Sequence, residues 1–124
     1  MPKIYLSPST QDWNMYVTGS GSEEYNMNLL ADALVPYLLS NGIQYQRNRP
    51  EMTAGSSIRE ANQGEYDLYL ALHSNAAPEG RYGEERGIIA FYYPGSVGGQ
   101  RAAELIAQEL RKIYPLPNKV TTRP

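Results

Sequence analysis

The sequence predicts a three-layer α/β domain with a mainly parallel or mixed sheet and helices on both faces. Short apolar segments, typical of strands, alternate with longer segments that carry apolar residues at helical spacing. The predicted order is strand, helix, strand, short helix, strand, strand, helix, which is typical of layered α/β folds. With 124 residues the chain has the length of one domain, and we expect a single domain over residues 1–124.

The first predicted strand lies at the amino end, in residues 1–6, and a polar connection follows it as far as Ser22. Residues 23–39 carry apolar side chains at helical spacing, and Ser22 is a suitable N-cap for a helix that begins there. Pro36 is expected to kink or shorten this helix, because proline lacks the backbone N–H that an interior turn needs. A second strand is predicted over residues 43–47, where side chains alternate.

The later elements follow from capping and apolar patterns. Ser57 and Glu60 have the spacing of a capping box, which predicts a short helix from Ser57 to Gln63. Residues 66–72 are apolar at all but one position, as in a strand that is covered on both faces. The remaining predictions are a strand over residues 87–93, an amphipathic helix over residues 102–113 and no element in residues 115–124.

Composition and charge exclude several classes of protein. The formal net charge is −2, which argues against a nucleic-acid surface, and no stretch approaches the roughly 20 apolar residues of a membrane span. The chain has no cysteine, so disulfides, thiolate zinc sites and thiol nucleophiles are excluded. Its one histidine excludes a metal site that takes several histidines from this chain. The amino end has no apolar run long enough for a signal peptide.

Polar residues are predicted to converge at one edge of the sheet, because ligands in open α/β sheets bind beyond the carboxyl ends of the strands. Residues 9–11 follow the first strand, and His73 follows the apolar strand. Glu23 and Glu24 begin the first predicted helix, which lies between these two strands in the sequence. An imidazole near carboxylates suits zinc, which takes nitrogen and oxygen ligands. The alternatives are a histidine bonded to a backbone carbonyl and glutamates that only stabilise the helix dipole.

Further residues form an ordered set along the chain. They are Ile4–Gln11, Glu23 at the helix start, Leu30–Leu34, Gly42, Asn62, Asp67–Tyr69 and, most specific, His73–Ala76. In this order and at these spacings, from Lys3 to the last residues, the sequence resembles the zinc-dependent N-acetylmuramoyl-L-alanine amidases, a family often called amidase type 3. The resemblance implies the α/β fold of that family.

The resemblance also implies a function and a site. The family hydrolyses the amide between the lactyl group of N-acetylmuramic acid and the L-alanine of the peptidoglycan stem, using water activated by Zn²⁺. Carried over to this chain, Glu23, which matches the spacing better than Glu24, and His73 are the metal ligands. Gln11 and Asn75 are the candidates for contacts to the substrate. The implied partner is peptidoglycan at the bacterial cell wall, reached by export or by release on lysis.

Two departures from the family pattern affect these expectations. The family places another histidine ligand after the first strand, where this chain has Ser9-Thr10-Gln11. With two protein ligands instead of three, zinc binding is expected to be weaker. The family's general-base glutamate lies beyond Pro124, so no residue here takes the catalytic role, and the chain is expected to be the first two-thirds of such a domain. The alternative function is a non-catalytic module that binds peptidoglycan on an amidase scaffold.

Overall fold

The structure is a computed structural model that describes residues 1–74 and 86–124. The chain divides into two compact units, Met1–Asn75 and Ala76–Pro124. In the described residues, the first unit contains a three-stranded sheet and the second contains a two-stranded sheet. Every strand pair in these sheets is parallel, which confirms the predicted α/β class. None of the helices in these two ranges is long and apolar enough to cross a membrane.

The first unit is built around its first strand. Its elements are β1 (Lys3–Pro8), α1 (Glu23–Ser40), β2 (Gln44–Arg47), α2 (Ala54–Gln63) and β3 (Leu68–Leu72). The strand order is β2-β1-β3, so β1 lies in the centre and pairs with both neighbours. In the register, Ile4 lies beside Tyr45 on one side and Leu68 on the other. The carboxyl ends of all three strands therefore meet at one edge.

The two faces of β1 pack against different helices. Ile4 and Leu6 are buried in an apolar core with Leu38 of α1. Tyr5 lies between them in sequence, and its hydroxyl donates to Oε1 of Glu60 in α2 at 2.9 Å. Because successive side chains of a strand point to opposite faces, α1 and α2 cover opposite faces of the sheet. The predicted layers, helix on each side of a sheet, are confirmed in this unit.

Helix α1 begins where the sequence predicts it. The side chain of Ser22 accepts a hydrogen bond from the backbone N–H of Tyr25 at 3.0 Å, as an N-cap does. The helix continues through Pro36 to Ser40, so this proline does not shorten it. Gly42 follows with φ +72°, a left-handed conformation that glycine adopts without steric cost and that turns the chain towards β2.

Helix α2 begins at Ala54, and the prediction that it opens at Ser57 is wrong. Its N-cap is Thr53, whose hydroxyl accepts from the N–H of Ser56 at 3.0 Å. Ser56 completes the capping box by accepting from the N–H of Thr53 at 2.9 Å. The sequence pattern did not reveal this capping box, because its fourth residue is a serine instead of the usual Glu or Gln. Ser57 is an interior, fully buried helix residue.

The apolar sequence of β3 predicts a strand that is covered on both faces, and this prediction is wrong. Tyr69 is 37% exposed and Ala71 is exposed, whereas Leu68, Leu70 and Leu72 pack against the apolar core on the α1 side. In the order β2-β1-β3 it is an outer strand of this sheet. The strand that is buried on both faces is β1.

The second unit contains β4 (Ile88–Phe91), α3 (Val97–Arg111), a 3₁₀ turn (Pro117–Lys119) and β5 (Val120–Arg123). Strand β5 pairs in parallel with β4, so the prediction of no element after residue 115 is wrong. Helix α3 begins before the predicted Ala102, because Ser96 caps it by accepting from the N–H of Gly99 at 3.0 Å.

Candidate functional site

The carboxyl ends of β1 and β3 and the start of α1 meet at one place in the first unit. Ser9 directly follows β1, and its N–H donates to the carbonyl of Leu72 at the end of β3, at 2.9 Å. The N–H of Glu23 donates to the carbonyl of Asn14 at 2.8 Å, which fixes the first turn of α1 against the polar connection. His73 follows Leu72 directly. The structure therefore brings Ser9, Glu23 and His73 together.

Glu23 lies at the centre of this cluster and is only 2% exposed. Its Oε1 accepts hydrogen bonds from the backbone N–H and the hydroxyl of Ser74, at 3.1 and 3.3 Å. Its Oε2 accepts from the hydroxyl of Ser9 and faces Nδ1 of His73 at 3.4 Å. The hydroxyl of Tyr16, from the polar connection, lies 2.6 Å from that of Ser74. The carboxylate is thus held in one orientation, with Oε2 towards His73.

These contacts set the ionisation of Glu23. Burial disfavours the charged carboxylate and by itself raises the pKa of Glu23. The hydrogen bonds from Ser9, from the backbone of Ser74 and from His73, together with the charge of the His73 ring, outweigh burial and hold this pKa below its usual value. Glu23 is therefore an anion at neutral pH, as a metal ligand or an acceptor of hydrogen bonds requires.

The separation of Glu23 and His73 fits two ligands of one metal ion. Nitrogen and oxygen ligands lie about 2.0–2.1 Å from a tetrahedral zinc ion, so two of them are about 3.4 Å apart. The observed distance from Oε2 to Nδ1 is 3.4 Å, which is longer than a usual N–H···O bond. The His73 side chain is 48% exposed and accessible from solvent. Within residues 1–74 and 86–124 no group of three His, Cys, Asp or Glu side chains can hold a metal, so this site offers two such ligands.

The other predicted site residues take different positions. The side-chain oxygen of Gln11 accepts from the side-chain amide of Asn14 at 3.2 Å. Asn75 lies outside the described residues. Glu24 uses its backbone N–H to donate to the carbonyl of Gln11 at 3.3 Å, so of the two adjacent acids Glu23 is the one at the site.

Two residues of the cluster were missed from the sequence. Tyr16 lies in a connection without any periodic pattern, and nothing in the sequence relates it to Ser74, 58 positions away. Ser74 belongs to the segment His73–Ala76 of the family resemblance, which gives it no role of its own. Its position just after a predicted strand could have indicated this role, because backbone N–H groups beyond the end of a strand are free to bind a carboxylate.

An open cavity of about 240 Å³ lies beside His73. The polar connection and the start of α2 both contribute to its lining. Among residues 1–74 and 86–124, those that line it are Thr10, Gln11, Trp13, Met52, Thr53, Ala54 and His73. His73 alone among them carries an ionisable side chain, and Trp13 is 73% exposed.

Comparison with known proteins identifies the fold. The sequence matches no family model and no curated protein. Among solved structures, the chain is similar to the N-acetylmuramoyl-L-alanine amidase AmiC2 of Nostoc punctiforme, with a TM-score of 0.77 and 14% sequence identity. The similarity covers 98% of this chain and 68% of that chain. At this identity the likeness shows the fold alone, and it confirms the amidase fold that the sequence resemblance implied.

Proposed function

We propose that this chain, which has the fold of an N-acetylmuramoyl-L-alanine amidase, acts on bacterial peptidoglycan at the amide between N-acetylmuramic acid and L-alanine. The observation that carries the proposal is the pair of Glu23 and His73 at the carboxyl edge of the sheet. Oε2 of Glu23 and Nδ1 of His73 lie 3.4 Å apart. Open α/β sheets bind their ligands at this edge. The place of action is then the bacterial cell wall.

In this proposal Glu23 and His73 would hold Zn²⁺, through Oε2 and Nδ1. When bound, zinc supplies a Lewis acid towards the amide carbonyl and towards water. Ser74 anchors Oε1 of Glu23 and so directs Oε2 towards His73. The hydroxyl of Ser9 stabilises the charge on Oε2. Two protein ligands bind zinc more weakly than the three that catalytic zinc sites usually supply.

The remaining roles concern the substrate. Gln11 lies beside His73 in the lining of the cavity, where its amide is available to a polar group of the substrate. Asn75 is proposed as a second contact on its position after His73 in the sequence. We assign none of the described residues to the general base, since the carboxylate beside His73, that of Glu23, already accepts hydrogen bonds from Ser9 and Ser74.

Zinc content tests the metal assignment. Elemental analysis of the zinc-loaded, dialysed chain should give about one zinc per chain. His73→Ala and Glu23→Gln should each remove this zinc, because each takes away one of only two ligands. Glu24→Gln is the matched control: it neutralises the adjacent acid, which contacts the site only through its backbone, and should keep the metal. Unchanged zinc content in both site variants would contradict the assignment.

Purified peptidoglycan tests the substrate. The chain should sediment with sacculi, and release of new L-alanine amino groups in the presence of zinc would demonstrate the amidase reaction. The observation that only two metal ligands lie in the described residues favours a second candidate, a module that binds peptidoglycan without cleaving it. Sedimentation without amine release would support this second candidate. Absence of both sedimentation and release would contradict both.

A further inference from the structure

Helix α1 carries apolar side chains on two opposite sides. Ala31 and Leu38 are buried in the apolar core against the sheet. On the outer side Tyr25, Leu29 and Tyr37 are 55%, 48% and 70% exposed. A surface helix usually has a polar outer side, and a helix that is apolar all round is usually covered. We infer that the outer side of α1 is the interface of a homodimer, in which a second copy of this chain covers it with its own α1.

Four residues of the outer side form a row along the helix. They are Tyr25, Leu29, Ala33 and Tyr37, each four positions after the previous one. Residues four apart on a helix are neighbours and form a ridge, and the packing of two such ridges is the commonest contact between helices. Ala33 is exposed and small, so two helices that cross beside it can approach to about 8 Å between their axes. The row is therefore shaped to receive another helix.

The row is complementary to itself when two copies lie antiparallel. A twofold axis beside Ala33 makes the two alanines face each other, and Leu29 of one copy then lies against Tyr37 of the second copy. Large side chains thus flank the close approach of the small ones at both ends. Antiparallel helices also place the positive end of each helix dipole near the negative end of the other. A symmetric contact, in which the same patch serves both copies, is the usual interface of a homodimer.

The charge of α1 favours a second copy over other occupants. The helix contains three acids and no Lys, Arg or His. Glu23 and Glu24 lie in its first turn, and Asp32 is paired with Arg47 of β2 at 2.7 Å. Helices that lie on membranes carry Lys and Arg on their polar side, so a lipid surface does not fit. A partner with a charged patch would find no free countercharge here, whereas homodimer interfaces are the more apolar class.

The exposed area is sufficient for a weak dimer. An aromatic side chain can bury about 150–250 Å², so Tyr25 and Tyr37 at their exposed fractions offer roughly 200–300 Å². Leu29 and Leu30, each 48% exposed, and the exposed Ala33 bring the outer side to the order of 500 Å² per copy. Two copies then bury on the order of 1,000 Å², the lower limit of a specific interface. We expect a dissociation constant in the micromolar range.

Sedimentation velocity over a series of chain concentrations tests the association. The chain should sediment as a monomer at nanomolar concentration and as a dimer at high micromolar concentration. Larger species should be absent, because a symmetric contact closes after two copies. A chain that stays monomeric up to millimolar concentration would overturn the inference and assign the outer side of α1 to a different partner.

Paired charge variants test the antiparallel arrangement. Leu29→Glu and Tyr37→Lys should each weaken self-association at least about tenfold, because each places uncompensated charges in the contact. A mixture of the two variants should associate again, since the introduced carboxylate of one copy then lies beside the introduced ammonium of the other. Ile58→Glu is the matched control, because Ile58 is a 49% exposed apolar residue of α2, on the opposite face of the sheet.

The results of these variants decide between the contact and its geometry. Unchanged association of both Leu29→Glu and Tyr37→Lys would overturn the interface. Weakened association of each variant without recovery in the mixture would overturn the antiparallel pairing. Loss of association in Ile58→Glu as well would show that the chain associates through some other surface.

The absence of cysteine from the chain allows a direct test of the twofold axis. Ala33→Cys introduces one thiol per copy beside the axis, where two Cα atoms can approach to the roughly 4.4–6.8 Å of a disulfide. With oxidised glutathione as the oxidant, this variant should form a covalent dimer on a non-reducing gel. Asn62→Cys, at an exposed position of α2, is the control and should stay largely monomeric. Equal cross-linking of the two variants, or none in Ala33→Cys, would overturn the inference.

Discussion

Oε2 of Glu23 accepts a hydrogen bond from the hydroxyl of Ser9 and lies 3.4 Å from Nδ1 of His73. Ser9 comes from the end of β1 and His73 from the end of β3, so one oxygen atom of α1 joins the ends of two strands. The other oxygen is bound by Ser74. The same carboxylate therefore contributes to the stability of the fold and to the geometry of the candidate metal site.

The stability of the chain should decrease as the pH falls below about 4.5, because of Glu23. Its folded-state pKa is lower than the ordinary value of 4.5, so its contribution is present above that pH and is lost as the pH falls through the folded pKa. Glu23→Gln removes this contribution. In urea unfolding with EDTA present, the wild type should have a higher free energy of unfolding than Glu23→Gln at pH 7, and this difference should disappear at acidic pH. An advantage independent of pH would contradict the assignment.

Replacing Ser9 with alanine should reduce stability and raise the pKa of Glu23. The substitution removes a buried hydrogen bond to a charged acceptor, which is worth about 1.5–3 kcal/mol. The carboxyl ¹³C resonance of Glu23 should titrate at a higher pH in Ser9→Ala than in the wild type. Ser20→Ala, at an exposed serine of the same connection, is the control and should change stability by less than about 0.5 kcal/mol.

Asn48 should be one of the most sensitive polar residues of the first unit. Its buried side-chain amide lies 3.1 Å from each of three acceptors, the hydroxyls of Ser7 and Ser57 and the carbonyl of Pro8. Asn48→Ala removes this donor from all three acceptors, of which, among the described residues, only Ser7 keeps a second donor, the hydroxyl of Tyr69, and should cost about 2–3 kcal/mol in urea unfolding. Asn62→Ala, at an exposed position of α2, should be nearly neutral. Similar effects of the two substitutions would show that the amide does not link β1 to α2.

Alkaline pH should destabilise the chain through Tyr5. Burial, the hydrogen bond to Glu60 and the charge of that carboxylate raise the pKa of Tyr5 well above its ordinary value of 10.0. The stabilisation is complete below pH 10 and is lost as the pH rises above it. Tyr5→Phe should cost about 1 kcal/mol at pH 7 and less at pH 11, measured by urea unfolding. A constant difference between these pH values would contradict this prediction.

The fold could largely be predicted because its local signals agree with its long-range pairing. Ser22 and Glu23 mark the start of α1 by side-chain chemistry that acts within one turn. Local signals do not predict a strand that forms only because it pairs with another strand. β5 has a single residue with an apolar side chain of any size, Val120, and it is a strand because it pairs with β4. Apolar composition likewise could not distinguish the central β1 from the outer β3.

The candidate site was predictable to the same extent. The meeting of Glu23 and His73 follows from parallel topology, since carboxyl ends share one edge. The contact of Tyr16 with Ser74 depends on how the connection of residues 9–22 folds, and so does the position of Trp13 in the lining of the cavity beside His73. That segment has no repeating pattern, and its course is set by individual hydrogen bonds such as the one from Glu23 to Asn14.

The central position of β1 has a consequence for the order in which the chain folds. Strand β1 is synthesised before β3, whose last residue is Leu72, so the second edge of β1 stays unpaired until most of the first unit has been synthesised. Pairings between residues so distant in sequence form slowly, because loop closure precedes the contact. Ser9 and Ser74 reach Glu23 only when that pairing is complete. We therefore expect the site to be completed late in folding, and amide exchange at Ser9, whose N–H donates to the carbonyl of Leu72, to require separation of β1 from β3.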